Sequence, residues 1–117
     1  MEDIKQIIKE VLEKGYLMSL ATQDSEGIWV ADVIYVNDNF NIYWLSQENT
    51  RHSKAIKENP KIAASITLTE KPGQPDIGIQ LEGYAEKLEG DILELAVKHR
   101  LKRLKPAPIK EGEIFEP

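Results

Sequence analysis

The stretch "YWLSQENTRHSKAIKENP", Tyr43 to Pro60, joins an aromatic strand-like run to a helix-like run through a polar loop. The helical part opens on Thr50, Arg51, His52 and Ser53, and Pro60 stops it because proline lacks an N–H and clashes with the preceding turn. A loop that only reverses the chain needs no such opening. A helix start exposes unpaired N–H groups and a partial positive charge. Thr50 or Ser53 adds a hydroxyl donor, Arg51 a planar fork of donors, and His52 one or two more N–H groups depending on its protonation. Together they suit a phosphate monoester. Trp44, Leu45 and Ser46 end the preceding strand, where backbone N–H and C=O groups could read the edge of a flat heteroaromatic ring. A phosphate beside an aromatic wall suggests a nucleotide or a flavin mononucleotide. The plainer reading keeps Asn49 or Thr50 as an ordinary N-cap and Arg51, Lys54 and Lys57 as a solvated face.

The rest of the chain gives that stretch its setting. A length of 117 residues, with 41% apolar and 30% charged residues, argues for one soluble globular domain with one core. A net charge of -5 argues against a general nucleic-acid binder. The sequence has no cysteine, which removes disulfides, thiolate nucleophiles and cysteine metal sites. His99 has no carboxylate at ligand spacing, so no metal site is expected, and no Ser-His-Asp arrangement can be argued. The N-terminus "MEDIKQIIKEVLEKG" carries charges through its apolar stripe, unlike a signal peptide, and no apolar run reaches the length of a membrane span. The expected location is the cytoplasm.

Ile4, Ile7, Ile8, Val11 and Leu12 mark one face of a first helix, with Asp3 as its cap and Gly15 as a left-handed residue past its end. "YLMSLAT" reads as a strand, "QDSEG" as a turn, and "IWVADVIYV" as a strand buried on both faces. "NDN" turns the chain into "FNIYWLS", the hairpin partner. After the Thr50 helix come "KIAASITLT", a loop, and the long strand "IGIQLEGYAEKL", with Gly83 expected at a bulge or bend. Asp91, with Glu94 as capping-box partner, opens a third helix whose inner face carries Ile92, Leu95, Ala96 and His99. Lys98, Arg100, Lys102, Arg103 and Lys105 read as its solvated face, with an anion patch as the alternative. Trp29 and Trp44 could fill the core or a subunit interface, or stack on a ligand. Short joins between the early strands make the sheet mainly antiparallel, and strands of this number tend to close into a barrel flanked by helices.

Three phrases, "LATQDSEGIWVADVIYV", "FNIYWLSQENTRHSKAIKENPKIAASI" and "IQLEGYAEKL", resemble the pyridoxamine 5'-phosphate oxidase-like family of FMN-binding split β-barrels. They run from Leu20 to Leu88, most of the chain. The resemblance implies a mainly β fold with flanking helices, a single split-barrel domain over residues 1–117, and a homodimer. It implies FMN as cofactor, with Ser46 and Leu45 near the ring, Thr50, Arg51 and His52 at the phosphate, and Asp32 and Val33 in the strand beneath the ring and ribityl chain. Gln80 would reach the ring, from the other subunit. The family's last barrel strand would follow "EIFEP", so the closing strand is either absent from this chain or replaced. Where the oxidases carry basic residues at both ends of the second-strand segment, this sequence has Val30 and Tyr35. It also lacks their C-terminal substrate-binding arginine and histidine, so true pyridoxamine phosphate oxidation is not expected. The function implied is a small flavin-dependent oxidoreductase or flavin reductase acting on a small redox substrate. The alternatives are a non-catalytic binder or sensor of flavin, haem or another phosphorylated ligand, and a deazaflavin-dependent reductase.

Overall fold

The computed structural model of the chain describes residues 3–68, 71–73, 75–88 and 93–102. The elements run α1 (Ile4–Lys14), β1 (Leu17–Asp24), β2 (Gly27–Asp38), β3 (Asn41–Trp44), α2 (Arg51–Glu58), β4 (Lys61–Thr67), β5 (Gly78–Tyr84) and α3 (Leu93–Lys102). The strands form one antiparallel sheet in the order β3-β2-β1-β4-β5. The sheet curls into a half barrel with flanking helices, the split-barrel architecture the resemblance implied. The helix expected from Asp91, its capping box, and the "KPAP" and "EIFEP" segments begin or lie outside the described residues.

Strand β2 lies between β1 and β3 and meets them along different parts of its length. Its residues 27–34 pair with β1, from Asp24↔Gly27 to Leu17↔Ile34, and residues 35–38 pair with β3. The β1–β2 hairpin turns through Ser25 and Glu26 into Gly27, whose φ of +126° is open to glycine but costly for other residues. Asp24 helps close that turn, its Oδ1 accepting the Glu26 N–H at 2.9 Å. Asn39, at φ 55°, makes the β2–β3 turn, a left-handed position that asparagine tolerates.

Registered partners share a face, so the sheet has two distinct surfaces. The inner rows read Val33–Met18 on one side and Ala31–Leu20–Ala64–Leu81 beside it. Val11 and Leu12 of α1 and Ile56 of α2 close the core around them, together with Tyr35, Ile62 and Ile66. The outer rows read Val30–Ala21–Ala63–Glu82 and Asp32–Ser19–Ser65–Gln80. On this outer side Ile28 is 77% and Val30 59% exposed.

Four expectations change here. Strand β2 is not buried along its length: Gly27 to Val30 are exposed and only Val33 to Asn37 are enclosed. The outer apolar patch is therefore Ile28 and Val30, because Ile34 and Val36 are buried where α3 comes against β2. There His99 Nε2 lies 3.2 Å from the Ile34 carbonyl and Lys98 Nζ donates to the Asn37 carbonyl. Gly15 is not left-handed; its φ is -69°. Its small size is what matters, since a Cβ there would lie 2.2 Å from Tyr35 Oη and 2.9 Å from Ile66 Cγ2. Gly83 sits in regular register opposite Ile62, with no bulge. Lys102 is not on a solvated face: its Nζ lies 3.7 Å above the Tyr35 ring, and burial, with Lys98 nearby, pulls its pKa down to about 8.

Candidate site at the start of helix α2

Helix α2 begins where the sequence places it. Thr50 is the N-cap, in extended conformation, and its Oγ1 accepts the Ser53 N–H at 3.3 Å. The same Oγ1 lies 2.9 Å from the Gln47 carbonyl and 2.8 Å from Ser53 Oγ. A hydroxyl carries one proton, so when Thr50 donates to the carbonyl it accepts from Ser53. The Lys54 N–H bonds the Thr50 carbonyl. Of the first four amides of the helix, those of Arg51 and His52 are thus the pair left to point out of its start.

His52 faces inward. It is 6% exposed, with Nε2 at 2.8 Å from Ser46 Oγ and 3.4 Å from Thr50 Oγ1. Burial lowers its pKa below the ordinary histidine value. The ring therefore ties the end of β3 to the first turn of α2 and holds the loop between them in shape. Ala55 is also buried on this helix, and Lys54 is exposed, one turn further on.

Arg51 reaches the other way, onto the β1–β2 hairpin. Its Nε donates to Asp24 Oδ2 at 3.1 Å and its Nη2 to Asp24 Oδ1 at 3.3 Å. Its guanidinium carbon lies 4.5 Å from the Trp29 ring centroid. Hydrogen bonding from Arg51, and then from the Glu26 amide, holds the Asp24 carboxyl below its ordinary range; the Asp24 carboxylate in turn raises Arg51. Thr22 stands opposite Trp29 in the β1–β2 register and shares its face. Thr22 is 2% exposed, and its Oγ1 has no hydrogen-bond partner.

The structure brings Ser46, Thr50 and His52 into one hydrogen-bonded corner, with half-buried Leu45 beside Ser46, while Arg51 leaves the same helix start toward Asp24. It does not bring the remaining expected residues there. Asp32 and Gln80 share the outer row of the sheet, where Asp32 Oδ1 accepts from Ser19 Oγ at 2.7 Å. Val33 is 1% exposed on the inner side. Asp24 was read from sequence only as a turn residue. Its role opposite Arg51 spans 27 positions and has no local signal. Trp44 packs against the core, as expected, whereas Trp29 is 43% exposed under Arg51. Among the described residues no group of three or more His, Asp and Glu side chains could hold a metal ion. No described helix is long and apolar enough to cross a membrane.

The sequence profile described as pyridoxamine 5'-phosphate oxidase matches residues 4–114. The chain belongs to that family. A family relative, a UPF0306 protein of Photorhabdus laumondii, is 28% identical over 88 residues, which are 74% of this chain and 62% of that protein. This chain thus spans less than two thirds of that relative's length. A haem-binding protein from Mycobacterium smegmatis superposes with a TM-score of 0.75 at 19% identity, over 87% of this chain and 44% of the other. An F420 reductase superposes with a TM-score of 0.72 at 19% identity, over 91% and 83%. At such identities these structures share the fold of the family, and family membership sets the fold without choosing a chemistry.

Proposed function

We propose that this chain binds FMN at the start of α2 and uses it as a small oxidoreductase or flavin reductase, in a homodimer that completes the site. The observation that carries the reading is Arg51 at the first position of α2, with its planar fork beside Trp29 and two helix amides pointing outward. A phosphate there would meet charge-assisted donors and the positive end of the helix. Bound flavin would supply the hydride and electron chemistry. The protein's part is to hold and orient it. Arg51 and the amides of Arg51 and His52 would grip the phosphate. His52 would act from inside, keeping Ser46 at the end of β3 where a ring edge would lie. The outer-row residues Asp32 and Gln80 face away from this corner within one protomer, which supports a ring pocket shared with a second copy.

Haem is the second reading, prompted by the fold shared with the Mycobacterium smegmatis protein. The sequence has two histidines and no cysteine. Both histidines are buried, at 6% and 3% exposure, and both rings are hydrogen-bonded. Histidine ligation would therefore require a core side chain to leave its partners, so the donor set fits a phosphate better than an axial haem ligand. A deazaflavin, as the F420 reductase neighbour suggests, would use the same phosphate donors with a different spectrum. The test is the absorbance spectrum of freshly purified protein, with mass analysis of what it releases, followed by fluorescence titration. FMN is expected to bind far more tightly than riboflavin. Arg51→Ala should weaken it ten- to a hundred-fold, with little effect from Lys54→Ala. Equal losses in the two variants would show that the start of α2 does not hold the phosphate.

A further inference from the structure

Arg51 grips an anion of its own chain. Both arms of its fork donate to the Asp24 carboxylate, at 3.1 and 3.3 Å. The Asp24 side chain is 10% exposed against 32% for Arg51, so the carboxylate is the inner partner. Its placement is built: Oδ1 also closes the hairpin turn by accepting the Glu26 N–H at 2.9 Å. Asp24 takes the Nε and Nη2 edge of the guanidinium, two of its five N–H donors, and its charge offsets that of Arg51. A phosphate that takes this same edge of Arg51 must displace the carboxylate. Two residues back on the same face of β1 lies Thr22, whose buried hydroxyl has no partner. A donor without an acceptor thus sits one strand repeat from a carboxylate that would lose its two Arg51 donors and keep the Glu26 N–H.

We propose that Asp24 is a specificity-determining residue of the α2 site: it occupies the Arg51 fork until a ligand bearing a phosphate dianion displaces it, and it excludes ligands bearing a single negative charge. The proposal rests on the phosphate reading of α2 and goes beyond it by naming the internal competitor and the selectivity it creates. Exchanging one carboxylate for another at the same fork gains nothing. A phosphate dianion brings twice the charge and further acceptor oxygens for the outward amides of Arg51 and His52, so it gains on exchange. The Thr22 hydroxyl lowers the cost by giving the released Asp24 carboxylate a donor.

Asp24→Asn separates the charge from the turn, because the amide oxygen still accepts from Glu26. The measurement is a fluorescence titration of wild type and variant with FMN, riboflavin and a flavin bearing an N10-carboxybutyl chain. In the variant, FMN should bind about ten-fold tighter, equivalent to about 1.4 kcal/mol. Riboflavin should be unchanged, and the carboxybutyl flavin, which binds wild type no better than riboflavin, should gain clearly over it. FMN binding equally or more weakly in the variant would overturn the proposal while leaving the phosphate site standing, with Asp24 then serving to position Arg51. Equal binding of FMN and riboflavin by wild type would overturn the phosphate reading and the proposal with it. A second readout needs no variant. The Arg51 Nε–H resonance of the wild-type protein should shift on adding FMN and stay in place with riboflavin or the carboxybutyl flavin. A resonance that FMN leaves unmoved would overturn the exchange.

Discussion

Replacing Gly15 with alanine should be among the most damaging small changes available to this fold. The added Cβ would lie 2.2 Å from Tyr35 Oη, 2.9 Å from Ile66 Cγ2 and 3.2 Å from the Val11 carbonyl. None of these can step aside cheaply. Tyr35 is fully buried, and its hydroxyl donates to the Leu12 carbonyl at 2.6 Å, serving one of the last carbonyls of α1. Moving the ring breaks that bond and strands both groups, at about 1–3 kcal/mol. Overpacking against Ile66 adds about 1–3 kcal/mol. The sum, about 2–6 kcal/mol, is a large part of the ~5–15 kcal/mol that holds a typical domain together. It should lower the melting temperature by roughly 10 °C or more. Urea unfolding followed by circular dichroism gives the free energy. Tyr35→Phe keeps the ring under Lys102 but removes the hydroxyl, and should cost about 1–3 kcal/mol alone. In that background Gly15→Ala should cost less, because the 2.2 Å obstacle is gone, and the cycle should show coupling of about 0.5–3 kcal/mol. Gly83→Ala is the control: nothing lies within 4 Å of its Cβ position, so stability should hold. A Gly15→Ala protein melting within about 2 °C of wild type, or strict additivity with Tyr35→Phe, would refute the account of why α1 ends at a glycine.

Thr22→Val replaces a buried, unpartnered hydroxyl with a methyl of the same shape, so the ligand-free protein should gain up to about 1 kcal/mol; a loss in thermal unfolding would show that the hydroxyl has a partner. His52 has its pKa lowered by burial, so the unfolded chain takes up its proton first as the pH falls. Stability should therefore be fully present above about pH 6.5 and decline as pH drops through the folded pKa, and His52→Gln should flatten that decline in urea titrations across pH 5–8. Light scattering at micromolar concentration should give a dimer, through the outer face that exposes Ile28 and Val30, with FMN raising the melting temperature and dilution releasing it. A flavin-loaded monomer of about 13 kDa, the mass of one chain, would remove the shared-pocket reading.

Much of this fold is written locally. The 3.6-residue stripe of α1, the Asp-Ser-Glu-Gly turn, the Thr50 cap and the stop at Pro60 each depend on neighbours within a few positions, so the amino-acid sequence alone determines them; the Asn-Asp-Asn turn falls later than its composition suggested, at Asn39 and Phe40, because Asn37 and Asp38 pair with β3. The same holds for the grouping of Ser46, Thr50, Arg51 and His52, which span one loop and one helical turn. What the sequence could not tell was which way those side chains turn. His52 goes inward because Ser46 and Thr50 offer its ring partners inside. Arg51 goes outward because the hairpin places Asp24 and Trp29 beside it, and that pairing is non-local. Strand β2 shows the same division. Its composition reads as apolar throughout, yet α3 covers only Ile34 and Val36, leaving Ile28 and Val30 bare. Gly15 was legible as a helix terminator, but the reason for it is Tyr35, twenty positions away, whose hydroxyl occupies the space a side chain would need. Local chemistry chose the elements; the packing of distant elements against one another chose which face of each residue the site can use.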